Sequence, residues 1–195
     1  MNFLRLAGLA AALFLAGCAS QKTLVPQVQQ AVDDSGAKTV TVAPERAVCS
    51  RTQCPVLAGA WSSAKPGQAV LTIGLPYQAS EVTGADFHIG SNQVVRVRSR
   101  SHAQPAASAL GFPATAFDVP LTLVSQIAYT ARSWVRVYTA DGRSLDETLS
   151  SGEQRGRAVE AMHYFYTAIE AAGANTGATP TNRGGLFDRL GSEGK

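Results

Sequence analysis

Cysteine, histidine and tryptophan are scarce in this 195-residue chain, at three, three and two copies, and each scarcity removes a class of chemistry. Zinc wants four ligands at close spacing, and the one near pair, Cys49 and Cys54, has no second Cys or His pair to complete it. His88, His102 and His163 stand far apart, and no His-Glu-x-x-His occurs. Gly-x-Ser-x-Gly, Gly-x-Gly-x-x-Gly and the Walker phosphate loop are also missing, so the common hydrolase elbow and nucleotide cradles lose their support. Nor does one sign of charge dominate. Against 14 acidic side chains stand 17 basic ones, which gives no global reason to expect nucleic acid as a partner. No cofactor and no metal is implied.

What is present begins at the N-terminus. Arg5 supplies one positive charge, and Leu6 to Phe14 follow as an unbroken run of apolar or small residues. That run is too short for a hydrocarbon core of ~30 Å, which needs about 20 residues of helix, so the segment reads as a secretory signal rather than a transmembrane anchor. It closes on Leu15-Ala16-Gly17-Cys18. This resembles the lipobox of the bacterial lipoprotein family, and the resemblance covers the first eighteen residues. It implies a diacylglyceryl thioether on Cys18, cleavage after Gly17, and acylation of the new amino group, palmitate being the usual chain. Two or three acyl chains make a stable anchor where one is marginal. Ala19 and Ser20 follow Cys18 with no aspartate, which in this family implies the outer membrane, periplasmic side, rather than inner-membrane retention.

Loss of residues 1–17 removes one basic residue and leaves a net charge of +2 on a chain long enough for one domain. Residues 18–38 are polar and without apolar period, which predicts a lipidated N-terminus and a flexible tether. The stretch 174–195 is rich in turn residues and predicts a disordered tail. Between them, 39–173 predicts a single α+β domain. Strands are expected at Thr39–Val42, Ala69–Ile73, Ala85–Ile89, Val94–Arg98 and Trp134–Thr139, with Asp141-Gly142 turning the last into a hairpin with Arg143–Leu149. Ala158, Met162, Phe165, Ile169 and Ala172 form one helical stripe, with Ser151 and Gln154 as a capping box and Gly173 as the C-terminal stop. A second helix is expected from Pro120 to Ala131, capped by Asp118. The fold class is therefore a small, mainly antiparallel sheet packed against a C-terminal amphipathic helix.

Two features carry candidate chemistry. Cys49 and Cys54 close a short loop, and export to an oxidising compartment favours a disulfide between them over a metal site. Arg96, Arg98 and Arg100 alternate along one strand and would project from one face, as would Trp134, Arg136 and Tyr138 on another. If both strands share a sheet, they make a cationic surface bordered by aromatics, suited to anionic glycans or phosphates. Asp86 and His88 fall on one side of a strand and could orient a general base, but an ordinary surface interaction is the simpler reading. The role expected is a non-enzymatic interaction or assembly module, held at the membrane by its lipid and meeting an envelope protein or glycan. A hydrolase would need a nucleophile to converge with Asp86 or His88.

Overall fold

The computed structural model describes residues 25–49, 53–77, 80–99 and 112–174. Cys18, Arg100, His102 and the tail after Ala174 lie outside them. Five antiparallel strands form the first sheet, in the order β1 (Val28–Val32), β2 (Lys38–Arg46), β3 (Val56–Ser62), β4 (Gln68–Gly74) and β7 (Ala114–Pro120). Four more form the second, in the order β6 (Gln93–Arg98), β5 (Val82–Ile89), β8 (Arg132–Thr139) and β9 (Ser144–Ser151). Two helices complete the α+β fold, α1 (Leu121–Tyr129) and the C-terminal α2 (Arg157–Ala171). The antiparallel sheet and C-terminal helix agree with expectation, but the strands divide into two sheets rather than one.

The first sheet buries one face and leaves the other wet, as alternation along its strands requires. Val40, Val42, Leu57 and Trp61 are buried beneath α2, while Thr39 and Thr41 point the opposite way. A bulge interrupts this alternation between Val42 and Glu45, where three steps along β2 match two along β3. The extra residue turns Glu45 to the helix side, opposite buried Leu57. There its carboxylate meets the Arg157 guanidinium in two hydrogen bonds of 2.8 Å at the first residue of α2. Such a two-pronged pair fixes direction as well as contact. In the second sheet Ala85, Phe87, Ile89, Val97, Val135 and Val137 face inward and merge with the first sheet's residues and both helices into one continuous core. At the seam, Thr115 Oγ1 on β7 donates to the Val82 carbonyl at the start of β5, at 2.7 Å.

Several boundaries differ from those expected, each for a physical reason. The tether does not run to Lys38, because Val28–Val32 pair with β2 through a turn that Asp33 stabilises by accepting from the backbone amides of Ser35 and Ala37. Ser151 and Gln154 do hydrogen-bond each other, but as a turn that ends β9. The N-cap of α2 is Gly156, with no side-chain cap. Arg157 pairs with Glu45 across the fold. In α1, Asp118 belongs to β7 opposite Val70 and caps nothing, and the helix stops at Tyr129 because Thr130 is already extended. The stop at Gly173 is as expected. Its φ of +92° lets its amide reach the Glu170 carbonyl and the Ala174 amide reach that of Ile169, the paired bonds of a Schellman motif.

Cys49 and Cys54 are bonded, with Cα atoms 5.7 Å apart, and Cys54 is buried. Replacing both by Ser should cost about 2 kcal/mol, the loop-closure value for so short a ring, read as a lower thermal midpoint than that of the parent. Reduction of the parent should reproduce the fall. A second stability test concerns the seat of α2. A Cβ at Gly59 would lie 2.7 Å from the Phe165 ring, itself fully buried. Gly59→Ala should therefore destabilise by about 1–3 kcal/mol through overpacking, a fall of roughly 2–4 °C in melting temperature per kcal/mol for a domain of this size. An unchanged midpoint would mean that the helix seat yields without strain.

Candidate functional site

Register across the second sheet decides which side chains meet on its outer face. Asp86 lies opposite Arg96 on one side and Arg136 on the other, and Arg136 in turn lies opposite Asp146. His88 lies opposite Trp134, and Gly84 opposite both Arg98 and Tyr138. The expected convergence is thus realised for Arg96, Arg98, Trp134, Arg136 and Tyr138, which share one face of one sheet. Arg100 lies outside the described residues.

The electrostatics differ from a bare cationic row. Arg98 folds across Gly84, where an added Cβ would come within 2.8 Å of the arginine side chain. In that position its Nη1 donates to the carbonyls of Ala85 and Val97 at 3.1 and 2.9 Å, and its Nη2 meets Asp86 Oδ1 at 2.7 Å. Its guanidinium also lies 4.7 Å from the centre of the Tyr138 ring. The Tyr138 hydroxyl donates to Asp86 Oδ2 at 2.9 Å, so a carboxylate that is only 6% exposed is held from two sides. Arg136 makes a two-pronged pair with Asp146, through Nε at 2.6 Å and Nη2. Arg96 alone keeps a long contact, 3.7 Å from Asp86, with 73% of its side chain exposed.

Carboxylate acidity follows from these contacts. Burial raises the pKa of Asp86, but the hydrogen bonds from Arg98 and Tyr138 and the charges of Arg98 and Arg96 outweigh it, and the net shift is downward. Asp146 is lowered by its hydrogen bonds from Arg136 against a smaller opposing effect of burial, with Arg136 charge and a contribution from His88 adding to it. Both carboxylates are therefore ionised at neutral pH and engaged by arginine. The imidazole of His88 stacks on Trp134, ring centres 3.5 Å apart and planes 9° from parallel, and the Arg136 guanidinium lies 5.6 Å from the indole. Asp86 and His88 do share a face as alternation requires, yet Asp86 is committed to Arg98 and Tyr138 rather than orienting the imidazole. The general-base arrangement is not formed. Among the described residues, no three of His, Cys, Asp or Glu gather as a metal site.

Sequence reasoning saw the arginines and aromatics but missed Asp86 as their hub and Asp146 as the partner of Arg136. The available signal was the Asp-x-His of β5 together with the Arg-x-Arg of β6, which becomes readable only once the register is known.

The charge of Asp86 can be tested directly. Asp86→Asn should lower stability at neutral pH by about 1–3 kcal/mol, the range for breaking a buried charged hydrogen-bond set. Because the folded pKa lies below the unfolded value of about 3.9, the stabilisation is complete above that value and lost as pH falls through the folded one. The gap in melting temperature between parent and variant should therefore narrow below about pH 4. A gap independent of pH would assign the loss to packing instead.

No family model, no curated protein and no solved structure matches this chain.

Proposed function

We propose that the chain is a lipoprotein of the bacterial envelope, anchored by acyl chains on Cys18 at the periplasmic side of the outer membrane, and that its domain is a non-enzymatic interaction module. The anchor rests on the lipobox resemblance of Leu15-Ala16-Gly17-Cys18. The contact surface is the outer face of the second sheet. A single observation carries that assignment: Arg96, Trp134, Arg136 and Tyr138 stand together on one face, where Asp146 holds Arg136, Asp86 holds Tyr138 and His88 stacks on Trp134. Arg, Trp and Tyr are the residue types that concentrate binding energy at protein interfaces. Ordering by the Asp86 and Asp146 pairs also reduces the side-chain entropy lost on association.

The same pairs favour a protein partner over a polyanion. A phosphate or glycan carboxylate would have to draw Arg98 and Arg136 away from carboxylates that bind them closely, and Arg96 is the guanidinium with the loosest claim on it. A hydrolase reading finds little support here, since Asp86 and Asp146 are bound to arginine and His88 is stacked.

In-cell cross-linking with mass spectrometry should recover a partner from the parent chain and lose it in Trp134→Ala with Arg96→Gln, a pair that leaves the Asp86–Arg98 and Arg136–Asp146 contacts in place. Recovery of the same partner by the variant would overturn the assignment of this face. Salt-sensitive binding to isolated envelope polysaccharide that disappears with Arg96→Gln alone would instead make the ligand an anionic glycan. For the anchor, Cys18→Ala should leave the membrane fraction.

A further inference from the structure

Away from the second sheet's outer face, two exposed tyrosines stand close together where α1 ends and α2 passes it. Tyr129 and Tyr164 are 48% and 46% exposed. Between them lies His163, its ring centre 5.1 Å from that of Tyr129 and 5.9 Å from that of Tyr164. Val25 and Pro26, the first described residues of the chain, line one concavity with His163, Tyr164, Glu160 and Arg155. Val25 is itself half exposed. The polypeptide therefore joins the domain beside these tyrosines.

We propose that this tyrosine patch is the surface that rests on the phospholipid bilayer. The inference deepens the lipoprotein reading and depends on it. Six residues lie between Cys18 and Val25, so seven Cα-to-Cα steps join them. Whatever their conformation, they span at most about 25 Å, at ~3.3–3.6 Å per residue. A domain of this size is roughly 40 Å across by compactness scaling, so so short a connection cannot let the domain turn its far side to the membrane. The side bearing Val25 faces the lipid. Tyrosine suits that position, because an apolar ring with a polar tip is the side chain that concentrates at headgroup depth. Within the concavity Arg155 and Glu160 offset each other in charge. Docking is accordingly expected to depend on the aromatic rings and not on anionic lipid.

The test uses the full lipidated chain bound to vesicles of phosphatidylethanolamine and phosphatidylglycerol, with bromine on the acyl chains as a contact quencher of tryptophan emission. Tyr164→Trp is the reporter, Tyr129→Trp a second at the other end of the patch, and Val94→Trp a control on the exposed outer face of the second sheet. The tryptophans added at 164 and 129 should be quenched and blue-shifted relative to the parent, equally at low and high salt, while that at 94 should not. If the protein floats with the vesicles but neither reporter is quenched, or if Val94→Trp is quenched as strongly, the patch is not the membrane face and the anchor stands. If Cys18→Ala floats as well as the parent, or if the parent does not float, the anchoring reading fails and the orientation argument goes with it.

Discussion

The fold depends on how closely α2 lies on the first sheet. At β3 the sheet offers Gly59, and the Phe165 ring occupies the space where a side chain would be. The apolar stripe of the helix reaches the core from that seat. Ala158, Met162 and Ile169 are fully buried along the same stripe, and α1 packs its own Leu123, Val124 and Ile127 into the same cluster. Close packing at one point fixes the distance, and the Arg157–Glu45 pair fixes the rotation and the start of the helix. Interiors at near-crystalline density leave little freedom once two such constraints are set.

The stripe of α2 and its glycine stop were legible because helical periodicity and a left-handed terminator are local properties of the chain. The strands that were legible are those with clean alternation and marked ends, such as Val94–Arg98 and the hairpin at Asp141-Gly142, where Gly142 takes a φ of +81°. Three were not read. Val28–Val32 is mostly exposed and hence too polar to announce itself, and its existence depends on the pairing offered by β2. Val56–Ser62 contains Ala-Gly-Ala, small at Gly59 because the Phe165 ring of α2 fills the space beside it rather than because it is a loop. Ala114–Pro120 ends in proline, which is tolerated there because β7 is an edge strand. In each case the deciding information is tertiary.

The candidate face was legible to the same degree. Alternation was enough to put Arg96 with Arg98, and Trp134 with Arg136 and Tyr138, on common faces. It could not give the neighbour of each row, and the neighbour sets the chemistry. With β5 between β6 and β8, Asp86 meets the arginines of one and the Tyr138 hydroxyl of the other while Asp146 takes Arg136, and an expected field of positive potential becomes a network of neutralised pairs with one outlying guanidinium.

The bulge in β2 has a consequence for how this chain tolerates length changes. Side chains on a strand alternate with a period of two, so an insertion or deletion of one residue exchanges the two faces of everything beyond it. Between Val42 and Glu45 the strand already carries one such extra residue, with Pro44 inside the irregularity. Excising it would restore regular pairing and keep the carboxylate opposite Leu57 on the helix side, whereas straightening the strand at constant length would carry it to the wet side and strand the arginine that begins α2. Any sequence that reaches this architecture with an unbulged second strand has to bear its helix-binding acid one position earlier, so the gap and the acid must move together.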